Sequence, residues 1–230
     1  MIQYEGYLLE AEGNTTAARA RYERAVAKDP TQVNACRGLA RLTTGLSAIA
    51  ILETAITNNP AYASELRFDL AKKLEEIGNL KEALDQYQRA LAERPRYVDA
   101  LTGMASLLLV MGRRDEAVVA LERAVGLNPA SVTALVNLGR LAVEDGDWDG
   151  GMVLIDRAMA ADPRDDYPYM MLAAIHADRK EPELALEWFQ KARQINPGRH
   201  VDDVGRDLAK AMRDLLVRLC QIREERLRSD

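Results

Sequence analysis

The chain has 230 residues, 48% of them hydrophobic, and its 31 basic against 36 acidic side chains leave a formal net charge of −5. That length is enough to bury a substantial core, and the apolar content excludes a disordered or collagen-like chain. The acidic balance argues against nucleic acid or an anionic membrane surface as the main partner. Cys36 and Cys220 are the only cysteines and stand far apart, without the neighbouring cysteines or histidines of a zinc site, which points to a reducing, cytoplasmic compartment. Residues 1–7 lack the basic start and apolar stretch of a secretory signal. The longest uncharged run, 100–112, falls short of the roughly twenty residues that span a bilayer, so no membrane span is expected.

A repeat dominates the pattern. Pro30, Pro60, Pro95, Pro129, Pro163 and Pro197 follow one another at intervals of 30, 35, 34, 34 and 34 residues. Five residues before each stands an alanine: Ala25, Ala55, Ala90, Ala124, Ala158 and Ala192. Three residues earlier is a bulky apolar or aromatic side chain (Tyr22, Leu52, Tyr87, Leu121, Ile155, Phe189), and four before that a small one (Ala18, Ala48, Ala83, Ala117, Gly151, Ala185). Small, large and small at spacings of four and three make one helical face. A second stripe, centred on Gly6, Ala40, Ala71, Ala105, Gly139 and Ala173, gives each unit another helix.

In chain order, unit one (1–32) turns between its helices at Gly13-Asn14 and begins two residues into its first helix, leaving that end uncapped. Unit two (33–62) is four residues short between Arg41 and Ala48, about one helical turn. There Thr43-Thr44-Gly45 replaces the usual helix end, which predicts an irregular packing step and a bend between unit one and the later units. Units three (64–97), four (98–131) and five (132–165) turn at Gly78-Asn79, Gly112-Arg113 and Gly146-Asp147. In unit six (166–199) Lys180-Glu181-Pro182 replaces the glycine turn, with proline acceptable at a helix start. Beyond it, Val201, Val204, Leu208, Met212, Leu215, Leu219 and Ile222 predict one long helix within 200–230. Its first half would cap the stack and its second half would overhang, bearing Arg213, Arg218, Arg223, Arg226 and Arg228.

This spacing resembles the tetratricopeptide repeat, a 34-residue helix–turn–helix with small residues at positions 8, 20 and 27, an aromatic near 24 and proline at 32. The resemblance covers six units, with alanine at position 27 and proline at position 32 in all six. It implies an all-α fold: a right-handed α-solenoid over 1–199, with 200–230 as a capping and overhanging helix. Each unit would hide its apolar face only against the next.

Residues that carry chemistry are scarce. There is no phosphate-cradling glycine loop and no nucleophile arrangement, so the expectation is no enzyme, no cofactor and no metal. His176 falls where the family places a core aromatic and reads as packing. Trp148 and Trp188 read the same way, and Asn14-Thr15-Thr16 reads as a helix start rather than a glycosylation acceptor.

Binding is the remaining route to function. The resemblance implies an inner groove lined by first helices, in which an extended peptide or a helix of another protein lies. In units four to six it would be lined by Thr102, Ser106 and Leu109, by Val136, Asn137 and Arg140, and by Tyr167, Met170, Met171 and Ala174. That surface is apolar with one cation: it suits aliphatic side chains, with adaptable methionines and Arg140 able to grip a carboxylate. A secondary, charged groove would use Arg37, Arg41, Phe68 and Lys72, where Arg37 and Arg41 face Asp69 and Glu65 and pair with them. The family's carboxylate clamp and its asparagine ladder are both unlikely, because only Asn137 fits either. The expected function is a non-enzymatic scaffold or adaptor. Its rivals are self-assembly, through the carboxy-terminal helix or the uncapped first repeat, and the adaptor segment of a larger enzyme. Few groove cations and no repeated base-reading pair argue against RNA.

Overall fold

Each repeat unit folds as two helices: in all but the second unit a left-handed residue ends the first, and in every unit an Asx-Pro or Arg-Pro step ends the second. The structure, a computed structural model, describes residues 2–198, with side chains from residue 5 onward. The carboxy-terminal helix expected within 200–230 lies outside the described residues.

Twelve α-helices occur among the described residues, with no strand: α1 Ile2–Ala11, α2 Thr15–Lys28, α3 Val33–Arg41, α4 Gly45–Asn58, α5 Ala63–Glu76, α6 Leu80–Glu93, α7 Val98–Val110, α8 Arg114–Leu127, α9 Val132–Glu144, α10 Trp148–Ala161, α11 Tyr167–Asp178 and α12 Pro182–Ile195. The fold is all-α and of the α-solenoid class. A 3₁₀ turn, Pro60–Tyr62, leads into α5.

Between the two helices of units one, three, four and five the same turn recurs. Gly13, Gly78, Gly112 and Gly146 take φ between +74° and +90°. In each, the glycine amide reaches back three residues and the next amide five, as in Asn14 to Leu9 at 2.8 Å and Asp147 to Ala142 at 2.9 Å, closing the last helical carbonyls. Unit six makes the same two bonds with Lys180 at φ +62°, a conformation that costs a non-glycine residue roughly 1–2 kcal/mol. Asn14 caps α2 by accepting from the Ala17 amide, and Asp147 caps α10 by accepting from Gly150, so Asn14-Thr15-Thr16 is a helix start. In unit two α3 is only nine residues long, and the Thr43 hydroxyl closes its end by donating to the Leu39 carbonyl at 2.7 Å.

The chain forms two compact units that divide between Arg123 and Ala124, inside α8. No feature of the repeat pattern marks this place. In the first, α3 packs against α2 and α4, and α4 packs against α5. Its core alternates small and large: Ala18, Ala48 and Ala83 are wholly buried, and Tyr22, Leu52 and Tyr87 fill the space they leave. The Tyr22 ring lies so close to Gly6 and Gly38 that a Cβ on either would stand 2.5–2.6 Å from it. In the second compact unit, α9 and α10 meet backbone to backbone. A Cβ on Gly139 would be 2.8 Å from the Gly151 carbonyl oxygen, so glycine at both positions sets the approach. Ile155, Leu172 and Phe189 fill this core between Ala158, Ala173, Ala185 and Ala192.

Candidate functional site

In the first compact unit, α1, α3 and α5 present the first-helix surface that the family resemblance led us to expect as a groove. Between them is a recess of about 230 Å³, walled by Tyr7, Arg37, Arg41, Asp69, Lys72 and Glu76, with Leu52 at its base. Its charges are largely internal pairs. The Arg37 guanidinium donates to both Asp69 oxygens, at 2.5 and 3.2 Å. Arg41 donates to both oxygens of Glu10, at 2.8 and 2.6 Å, rather than to Glu65 as expected from sequence. Glu10 and Arg41 sit at the carboxy-terminal ends of neighbouring first helices, which brings them together, whereas Glu65 accepts from Arg94 at 2.7 Å. Lys72 is exposed, with its ammonium 5.8 Å from the Phe68 ring. Phe68 in turn packs against Tyr87 and Tyr97 at 5.9 and 5.4 Å. Burial pushes the Tyr97 hydroxyl up to about 12.

Beneath this surface are two hydrogen bonds that sequence reasoning missed. The buried Tyr22 hydroxyl donates to Glu10 at 2.8 Å, and the buried Tyr87 hydroxyl donates to Glu75 at 2.5 Å. Both join position 24 to position 12 of the same repeat. The signal was present: tyrosine at 24 accompanies glutamate at 12 in units one and three, whereas units four to six combine Leu121 with Leu109, Ile155 with Val143 and Phe189 with Ala177. The Arg41 guanidinium holds the Glu10 carboxyl below the usual range, while burial holds that of Glu75 above it.

Of the α7 residues, Thr102 is buried and donates to the Asp99 carbonyl at 3.0 Å, so it presents almost no surface. Ser106 and Leu109 are half-buried and remain accessible.

The second compact unit presents α9 and α11. Val136 is wholly buried in the cluster with Leu135 and Ala158, and Met170 is buried against Ala173 and Phe189. Both belong to the core rather than to a groove. Asn137 is also buried, and its Nδ2 donates to the Thr133 carbonyl at 2.8 Å. Arg140, Tyr167, Met171 and Ala174 are half-buried and form the accessible part. Arg140 already donates to Glu144 one turn away, so a partner carboxylate would compete with it.

His176 is buried, holds the Glu181 carboxylate at 2.7 Å through Nδ1 and meets the edge of Trp148 at 5.7 Å. Arg179 stacks on the same indole at 4.2 Å. These contacts tie the Lys180 turn to α10, a structural role. Among the described residues, no group of histidine, cysteine and carboxylate side chains is placed to hold a metal ion, and no helix is long and apolar enough to cross a membrane.

A family profile described as tetratricopeptide repeat matches residues 76–124 and 111–175, and a second of the same description matches 153–200. The chain belongs to the tetratricopeptide repeat family. Among solved structures, a tetratricopeptide repeat protein from Parabacteroides merdae is similar with TM-score 0.74 at 19% identity, covering 92% of this chain and 83% of that one. A Pseudomonas aeruginosa structure titled as the functional characterization of pilF is similar with TM-score 0.66 at 13% identity, covering 94% and 96%. A chain of the APC/C hetero-tetramer Cut9-Hcn1 has TM-score 0.70 at 15% identity; 93% of this chain is covered but only 42% of that one. At these identities the likeness concerns the fold. No curated protein matches the chain by sequence.

Proposed function

We propose that this tetratricopeptide repeat chain is a non-enzymatic interaction scaffold that holds a segment of another protein on its first-helix surface. The observation that carries the reading is the recess between α1, α3 and α5, where three successive repeats contribute side chains to one concavity. Its walls mix aromatic, cationic and anionic groups, so an extended segment with polar and charged side chains suits it, with Tyr7 offering apolar contact. Because the charges are partly exposed, binding there weakens as salt rises.

A second reading places an aliphatic segment on the α9 and α11 surface. Met171, Ala174 and Tyr167 supply accessible apolar area there, and Arg140 supplies a guanidinium at its margin. Ser106 and Leu109 on α7 offer a similar, smaller patch in the other compact unit. The hetero-tetramer named by one structural neighbour is an assembly with another protein, which is consistent with a scaffold role.

Peptides selected from a random display library on the full chain, measured by titration against variants, test both readings. Lys72→Glu is expected to weaken a peptide held at the first surface by about tenfold, equal to 1.4 kcal/mol. Met171→Glu with Arg140→Ala does the same for the second. Peptides indifferent to both changes, with helical content intact, would remove first-helix binding.

A further inference from the structure

We propose that α8 is a self-association surface, on which two copies of the chain pair antiparallel about a two-fold axis passing beside Val119. The second helices α6 and α8 flank a recess of about 340 Å³ floored by α7. Leu84, Met104, Leu108 and Ala120 line it with apolar surface. Val119 stands at its edge, 65% exposed, although α8 already buries Ala117, Ala120 and Leu121 inward. This helix therefore carries apolar surface on two sides, and only the inner side is covered.

The charges around Val119 choose the occupant. Asp115, Val119 and Arg123 are spaced four residues apart, which stacks them along one helical face in the order acid, apolar, base. Asp115 is exposed, and Glu116 beside it spends both oxygens on Arg113, at 2.6 and 2.7 Å. Arg123 gives one N–H to the Pro95 carbonyl and keeps its other guanidinium donors. A face with its apolar residue midway between opposite charges is complementary to itself in the antiparallel sense. A two-fold axis at Val119 sets Asp115 of each copy opposite Arg123 of the other, and the two valines meet over the recesses. A second copy supplies the apolar group, the acid and the base at the right spacing.

One 14-residue helix paired with itself, about 21 Å long, makes a small interface, so the dimer is weak, with a dissociation constant in the micromolar range or above. The surface lies on second helices, so changes there leave first-helix binding untouched and the two proposals fail separately.

Sedimentation velocity on the full chain, from about 1 to about 300 μM at low salt, tests the proposal. The wild type is expected to pass from monomer to dimer over this range. Val119→Arg and Asp115→Arg each bring like charges together across the axis and are expected to weaken dimerisation at least tenfold. The double change Asp115→Arg with Arg123→Asp exchanges the charges and is expected to restore it. All these positions are exposed, and circular dichroism checks that the fold is kept. A wild type that stays monomeric, a dimer indifferent to Val119→Arg, or a double variant that fails to recover would each overturn the proposal.

Discussion

In unit one the Tyr22 hydroxyl donates to Glu10, and Arg41 grips the same carboxylate with two further bonds. In unit three Tyr87 donates to Glu75 in the same repeat register, but among the described residues no arginine joins it, and the ammonium of Lys72 acts only from a distance. The geometry of the two pairs is alike and their electrostatics are opposed. With a guanidinium at hand the half-buried carboxylate favours its charged form; without one, desolvation dominates and the proton is held more tightly. A repeated scaffold therefore does not repeat its charge behaviour, because each buried acid responds to whatever the next helix supplies.

The largest effects that separate the two regions come from removing the hydroxyls. Tyr87→Phe leaves the half-buried Glu75 carboxylate without its hydrogen-bond donor and is expected to cost about 2 kcal/mol of stability. Tyr22→Phe leaves Glu10 with Arg41 and is expected to cost about 1 kcal/mol. Urea denaturation of the full chain followed by circular dichroism compares them; equal losses would mean that Arg41 does not compensate.

Smaller changes follow from neutralising the acids. Glu10→Gln at neutral pH removes a carboxylate bound to Arg41 and is expected to destabilise by about 1 kcal/mol, a modest value because that pair is partly exposed. Glu75→Gln removes a charge that burial disfavours and is expected to be neutral or slightly stabilising. A marked loss from Glu75→Gln would contradict the raised proton affinity assigned to that site.

The pH dependence is the smallest and sharpest discriminator. The Glu10 carboxyl titrates lower in the folded state than in the unfolded one, so its contribution is present above the ordinary glutamate range and is lost as pH falls through its folded value. The Glu75 carboxyl titrates higher when folded, so its contribution is complete below the ordinary range and is lost as pH rises through its folded value. On going from pH 7 toward pH 4, the stability advantage of the wild type over Glu10→Gln should shrink. Its standing against Glu75→Gln should improve over the same interval. Parallel curves would show that both sites titrate alike.

The helix pairs were legible because the constraint that shapes them is local. A proline that cannot continue a helix, a small residue where two helices touch and a glycine in the left-handed region each leave a mark at a fixed interval. Which groove positions stay open was less legible. Position 5 carries Thr102, Val136 and Met170 in units four to six, and all three are buried, whereas Arg37 at the same position in unit two reaches out to Asp69. That register lies at the edge of the core, so a short or apolar side chain sinks in and a long charged one climbs out. The partner of Arg41 was hidden for a different reason: one-dimensional spacing does not tell which neighbouring helix end is nearer. Lys180 shows the reverse case, in which a turn keeps its backbone bonds although the residue best suited to it is missing.

Partner recognition on the first helices is tested most directly by amide hydrogen exchange of the full chain with and without a selected peptide that Lys72→Glu weakens. Added protection is expected along α1, α3 and α5, around Tyr7, Arg37 and Lys72, with α2 and α4 unchanged. Protection confined to α2, α4 or α6, with the first helices exchanging as before, would contradict it.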